Sequence, residues 1–288
     1  MSQLNSFGVF GNVPSIVSTT GGRRLGLVVG TNRRYTTIQS AITASEAGDQ
    51  IFVDPGEYAE ELVIPHSKSN IAIIGMGGRG SVAVQADTDG VAITNHGRDV
   101  TLVNIGGEGD GTGGGLVNTG RRFRAYGCKF EGGALAVSMT LGTVLQIAAL
   151  THDKGDDTLL EDCEIAYATV GVKLTGSDFG ACTQNFFKGC YFHSLPTASF
   201  EEAHGVGGAI TLHYRGLLID GCRFGAADEE TDALPTKWIS LNDDNANSGL
   251  VTGCVFPDVL AGGRNLVSTT LIWVGNFHTA ALSTTQPS

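Results

Sequence analysis

Five stretches of this chain share one pattern: Phe123–Phe130 (FRAYGCKF), Leu159–Ile165 (LLEDCEI), Phe186–Phe192 (FFKGCYF), Leu217–Phe224 (LLIDGCRF) and Leu250–Phe256 (LVTGCVF). Each runs from apolar residues through a small or acidic one to Cys, then a variable residue, then Phe or Ile. Cys128, Cys163, Cys190, Cys222 and Cys254 are separated by 35, 27, 32 and 32 residues, and four of the five follow Gly. A recurring short strand with one small apolar side chain at a fixed place predicts stacked coils. Each coil pairs with the strand edge left open by the one before, and like residues line up inside. The sulfurs need no chemistry for this, because free Cys packs as a small hydrophobe. A metal or disulfide role would require them in facing pairs, and the nearest two in sequence, Cys182 and Cys190, are eight residues apart. No metal site is expected.

Working outward, further short strands are expected at Ala134–Met139, Val170–Leu174, Ala209–Leu212 and Trp238–Leu241, so each repeat supplies at least two strands. The loops between them differ in length, as insertions into solenoids do. The chain has 42 Gly and 7 Pro in 288 residues, with 41% hydrophobic and 16% charged residues. That glycine share is about twice the usual. It lacks the strict triplet period of collagen, and long helices would lose on the order of 1 kcal/mol at each interior Gly. Enough apolar residues remain to bury a core. The repeat is shorter than the roughly 40–45 residues of a propeller blade. The fold class is all-β, a parallel β-helix.

Charge narrows the partners. There are 18 basic and 29 acidic residues, a net −11, which argues against a nucleic-acid-binding surface. Arg23, Arg24, Arg33 and Arg34 are the only charged residues up to position 34, and Asn265 to Ser288 carries none. These end segments hold Phe7, Phe10, Leu271, Ile272, Trp273 and Phe277, an apolar and aromatic content unlike that of disordered tails. At least one of them is expected to dock against a partner or another copy. No basic segment followed by an apolar run opens the sequence, so no secretory signal is expected. No apolar run approaches the ~20 residues of a membrane span.

The N-terminal third carries a resemblance. Tyr35-Thr36-Thr37-Ile38-Gln39-Ser40-Ala41-Ile42 leads to Gly48-Asp49-Gln50-Ile51-Phe52-Val53-Asp54-Pro55-Gly56-Glu57-Tyr58, then Leu62-Val63-Ile64 and Asn70-Ile71-Ala72-Ile73-Ile74-Gly75. This order resembles the opening of the right-handed parallel β-helix proteins of the pectin lyase-like group, pectin methylesterases especially. The residues agree with it. Ile38, Ala41 and Ile42 make one apolar helical face, a helix of about two turns that would cover the open end of the first coil. The expected organisation is an extended N-terminal anchoring arm at 1–34, a β-helix at 35–262 with its capping helix near 36–46, and an uncharged C-terminal extension at 263–288. About 220 residues at roughly 25–32 per coil predict about 7–9 coils, a rod about 35–45 Å long at ~4.8 Å per coil.

The resemblance also implies where an esterase site would lie. Asp156-Asp157-Thr158-Leu159 is similar to the family's Gln-Asp-Thr-Leu, which puts Asp157 on the first catalytic Asp. Cys163-Glu164-Ile165 and Thr169-Val170-Gly171 resemble its Cys-x-Ile and Thr-Val-Asp, but Gly171 stands where the second Asp belongs. The family's catalytic Arg has no counterpart between Arg124 and Arg215. A carboxylate that attacks an ester needs a second acid for the leaving group, and here the pair is broken. Ala203-His204-Gly205 and Asn95-His96-Gly97 stand isolated from the other residues of a polygalacturonase-like site. Asp153, Asp156 and Asp157 read as a solvated acidic turn, and Asp228-Glu229-Glu230 as an exposed loop. The glycine run from Gly106 to Gly115 contains G-x-G-x-x-G with no helix after it, so it reads as a flexible loop rather than a phosphate cradle.

The expectation is a non-enzymatic structural protein of a tailed-bacteriophage virion, a head decoration or spike or a compact tail spike. It would be made in the host cytoplasm, need no cofactor, and contact no nucleic acid or membrane. Arg23, Arg24, Arg33 and Arg34 would meet acidic capsid, tail or neighbouring-subunit surface, and the resemblance implies a homotrimer. The alternatives are a carbohydrate esterase or depolymerase using Asp157, Asp153 or Asp243-Asp244, and a module binding host surface glycan through Trp238 or Tyr214.

Overall fold

The glycine before each cysteine is explained by the corner it makes. In the computed structural model, Arg124–Tyr126 and Lys129–Glu131 are strands joined across Gly127 and Cys128. Four further segments repeat the arrangement, ending with Ser248–Thr252 and Val255–Phe256. The residue before each Cys has left-handed backbone: Gly127, Asp162, Gly189, Gly221 and Gly253 at φ of 58, 53, 60, 60 and 62°. Asn104 and Gly275 continue the column at 54 and 62°. Gly enters this region without steric cost and Asn or Asp at modest cost, so Asp162 is a chemical equivalent rather than an exception.

The structure describes residues 26–111, 113–132, 143–148, 156–175, 182–195, 198–203, 214–225, 237–240, 248–256, 271–278 and 281–283. Among these, the strands form three sheets. Sheet 1 runs through ten successive strands from Leu27–Val29 to Leu271–Val274, with Cys182–Thr183 pairing beside the path. Sheet 2 has ten strands, from Gly56–Ala59 to Asn276–His278 and then Ala281–Ser283. Sheet 3 has seven, from Leu62–Ile64 to Lys237–Ser240. All pairings are parallel except the last, where Ala281–Ser283 folds back on Asn276–His278. This is the stacked-coil β-helix that the repeats predict.

The core is a set of in-register columns. In sheet 1, Ile51, Ile73, Leu102, Ala125, Leu160, Phe187, Ile219, Val251 and Trp273 lie one above another, all buried. In sheet 2, Phe130, Ile165, Phe192 and Phe224 do the same, and the Phe224 ring stacks on Phe256 at 4.5 Å. The five thiols lie between these columns. Cys163 Sγ donates toward the carbonyls of Ala125 in the previous coil and Glu161 in its own, at 3.5 and 3.4 Å. Cys190 repeats this with Leu160 and Lys188. Burial pushes the Cys128 and Cys190 thiols up, so little of either is thiolate near neutral pH. All five thiols are buried, so iodoacetamide should leave them unlabelled in the native protein and label them in guanidinium, read by peptide mass spectrometry. Rapid native labelling of Cys128 or Cys190 would contradict the packing.

The capping helix spans Ile38–Ala44, with Ile38, Ala41 and Ile42 buried. Thr37 Oγ1 accepts from Ser40 N, and the Glu60 carboxylate accepts from Ile38 N and Gln39 N at 2.7 and 3.0 Å. The Gln39 amide donates to Val63 O and accepts from Val63 N. It thereby occupies the edge of the first sheet 3 strand as another strand would. Ser45, the polar residue ending the apolar stripe, is buried and donates to Ile42 O.

Several boundaries move. Leu27–Val29 pairs with Gln50–Val53, so the coils begin inside the segment read as the 1–34 arm, and residues 1–25 lie outside the described residues. Leu271–Val274 and Asn276–His278 add a further rung, so the coils also take in part of the 263–288 extension. Pairing to an existing edge recruits these uncharged apolar stretches. The strands expected at Ala134–Met139 and Ala209–Leu212 lie outside the described residues. Sheet 3 passes those coils through Thr143–Ala148 and Ala198–Ala203.

The glycine run is not a flexible loop. Gly106 and Gly107 belong to the strand Ile105–Glu108, and beyond it the backbones approach too closely for side chains. A Cβ on Gly113 would lie 1.6 Å from Gly90 O.

Candidate functional site

The esterase-like residues do not meet. Asp157 lies in the turn entering Leu159–Glu161 of sheet 1, whereas Gly171 is buried in Val170–Thr175 of sheet 3. The Asp157 carboxylate accepts from Arg124 at 2.9 Å, and the same guanidinium donates to Asp157 O. Asp157 has left-handed backbone at φ 55°, so its place is set by the turn as well as by the ion pair. Asp156 is 6% exposed and pairs with Arg121 at 3.5 Å. The expected solvated turn is thus an arginine-held corner at Asp156 and Asp157, because consecutive coils bring residues 121–124 beside 156–157. Arg122 completes the group, with a bidentate pair to Asp99 at 2.5 and 2.7 Å.

That hydrogen bond holds the Asp99 carboxyl below the usual carboxylate range. Its contribution is present above the ordinary carboxylate pKa and lost as pH falls through the lowered value. The pair is exposed, so the contribution is small.

Other residues singled out in the sequence are scattered. Arg33 is ion-paired to Asp54 at 2.7 Å, and the Arg34 guanidinium lies 5.3 Å from the Tyr35 ring centre. Arg23, Arg24, Asp153, Asp228-Glu229-Glu230, Asp243 and Asp244 lie outside the described residues, as does the Tyr214 side chain. Trp238 is 3% exposed, its ring edge-on to Phe224 at 5.8 Å, so it is a core residue and offers no face to a glycan. A strand position next to the phenylalanine column explains this. His96 Nδ1 lies 2.6 Å from Thr119 Oγ1 beside the buried Asn95–Asn118 pair. Among the described residues no group of three His, Cys, Asp or Glu is arranged to hold a metal.

Among the described residues a second polar cluster lies on the outer face of sheet 2. Pairing aligns Gln85, Glu108 and Glu131 in one outward column, and Lys129, Glu164, Tyr191 and Arg223 in the next. Gln85 Nε2 donates to Glu108 at 3.0 Å. Lys129 Nζ lies 2.6 Å from Glu131 and 3.8 Å from Glu164. Partial burial works against the Lys129 charge, but the Glu131 carboxylate outweighs it and raises its pKa. His193 Nε2 faces Glu164 at 3.4 Å and its ring stacks on Tyr191 at 4.4 Å. Tyr167 stands edge-on to His193, 5.3 Å between ring centres.

A groove of about 340 Å³ opens here, lined by Gln85, Ala86, Glu108, Gly109, Asp110, Glu131, Gly132 and Tyr167. Sequence reading passed over these residues, although one signal was present. Gln85, Glu108 and Glu131 recur every 23 residues, the coil length of this stretch and shorter than the cysteine spacing.

No protein-family model matches the chain, and no curated protein sequence matches it. Solved structures do. The chain is similar to the pectin methylesterase from carrot, with a TM-score of 0.61 and 17% identity over 92% of this chain and 86% of that one. It is similar to the pectin methylesterase from Aspergillus niger, with a TM-score of 0.59 and 17% identity over 92% and 89%. It is also similar to a tailspike protein from an Acinetobacter baumannii bacteriophage, a capsular polysaccharide depolymerase. There the TM-score is 0.55, with 12% identity over 88% of this chain and 53% of that one. Identities this low carry the fold and not the activity. Together with the three stacked sheets and the short capping helix, they show that the chain is a right-handed parallel β-helix of the pectin methylesterase-like fold.

Proposed function

We propose that this chain is a non-enzymatic structural subunit of a tailed-bacteriophage virion, a head decoration or spike or a compact tail spike, trimeric and anchored through its N-terminal arm. The observation that carries this reading is the state of the esterase-like residues. Asp157 is held by Arg124 at 2.9 Å, and the position of its partner acid is Gly171 in another sheet. Covalent attack on an ester needs a nucleophile and a second acid for the leaving group; among the described residues the candidate nucleophile is ion-paired and glycine holds the place of the second acid, which supports the non-enzymatic reading. The bacteriophage tailspike among the similar structures is an example of the same fold built into a phage. The uncharged apolar N-terminal segment, followed by Arg23 and Arg24, offers contacts suited to a subunit docked on an acidic neighbour.

The test has two arms. Purified protein should release neither methanol from methylated pectin nor reducing ends from capsular polysaccharide. Turnover abolished by Asp157→Asn would overturn the structural reading in favour of an esterase or depolymerase. Deleting residues 1–25, which spares Leu27–Val29 and its pairing, should leave the thermal midpoint within a few degrees and abolish incorporation into particles. Normal incorporation of the truncated chain would disprove the anchoring role.

A further inference from the structure

We propose that the groove on the outer face of sheet 2 is a saccharide-binding site that accepts neutral or amine-bearing sugars and rejects uronates. This rests on the groove alone and holds whether or not the chain is a virion subunit.

Three features lead to it. First, the lining joins an aromatic ring to an array of acceptors. Tyr167 is 41% exposed and lines the groove together with Gln85, Glu108, Asp110 and Glu131. An aromatic face beside hydroxyl-binding carboxylates and an amide suits a sugar, whose ring is apolar on its C–H faces and polar at its edge. The coil stacking sets the acceptors of Gln85, Glu108 and Glu131 one strand spacing apart, ~4.8 Å, so a chain of sugar units lying across the coils meets one polar rung after another.

Second, Tyr167 is held in place. Its backbone has φ 52°, a region a bulky side chain enters only when its surroundings impose it. The imidazole of His193 stands edge-on to its ring, and the Lys129 ammonium lies 5.8 Å from its centre. Third, the charge has one sign. Three carboxylates line the groove, and among the described residues no basic side chain does. The nearby Lys129 is spent on Glu131 at 2.6 Å. A uronate would bring its negative charge against Glu108 and Asp110, with Lys129 already paired to Glu131, whereas an ammonium or a hydroxyl finds acceptors.

The experiment is calorimetric titration at 150 mM salt with three tetrasaccharides: β-1,4-linked glucosamine, its N-acetylated form, and galacturonate. The first two are expected to bind, with galacturonate at least ten-fold weaker. Tyr167→Asn removes the ring, keeps the net charge and suits the left-handed backbone; it should weaken both bound sugars at least ten-fold. Tyr167→Phe should restore binding, and Glu131→Gln should weaken glucosamine more than its N-acetylated form. The thermal midpoint of each variant checks its fold. The proposal is overturned if galacturonate binds as tightly as glucosamine or if none of the three sugars binds. It is equally overturned if Tyr167→Asn, folded, leaves the affinities unchanged.

Discussion

Phe224→Ala should destabilise the protein by about 3–5 kcal/mol, the range for emptying an aromatic site in a close-packed core. Phe224 is 1% exposed. Its ring stacks on Phe192 at 5.2 Å and 13° and on Phe256 at 4.5 Å and 11°, and Trp238 meets it edge-on. Removing the ring strips contacts from two neighbouring coils at once. The rest of the column cannot close the gap, because each ring is pinned to its own strand by the parallel register. Phe224→Leu keeps most of the apolar volume and should cost less than half as much. Urea titration at constant m-value measures both. If unfolding is irreversible, the ratio of unfolding rates replaces the equilibrium difference. A cost below about 1 kcal/mol for alanine would mean that the column relaxes freely, contrary to the geometry.

Gly113→Ala should be as damaging, about 3 kcal/mol or more, although it adds one methyl group. The new Cβ would meet Gly90 O at 1.6 Å and Gly90 C at 2.4 Å. Both are main-chain atoms, so no side chain can swing away. The backbones must part, and with them the neighbouring coil-to-coil hydrogen bond from Ala92 N to Gly114 O at 3.0 Å. Gly78→Ala is the control: an added Cβ there has nothing within 4 Å, and the change should be nearly neutral. Equal melting temperatures for Gly113→Ala and the parent would refute the close packing of this segment.

Different parts of the molecule were legible to different degrees. The glycine before four of the five cysteines left a visible mark of the repeat, although only the backbone shows that it makes a left-handed corner, which Asp162 also makes. The capping helix was legible for a similar reason: Ile38, Ala41 and Ile42 show their spacing within a single turn. The glycine run was misread. Flexibility and close backbone contact call for the same residue, and only the position of Gly90 distinguishes them. The acidic corner was misread likewise, since Asp156 and Asp157 meet Arg121 and Arg124 only because a coil of 35 residues returns the chain to them. Trp238 seemed available for a ligand until its place beside Phe224 was known.

By itself the sequence determined that the chain winds into stacked parallel coils, where the inward cysteine column lies, and that the esterase-like acid pair is incomplete. Those features depend on residues a few positions apart or on a repeat that recurs along the chain. Which side chains share the outer face of sheet 2 was decided only by the tertiary structure. The groove joins Gln85, Glu108, Glu131 and Tyr167 from four successive coils. Their meeting depends on the length of every intervening loop, and loop length is free to vary in a solenoid as long as the next strand finds its edge.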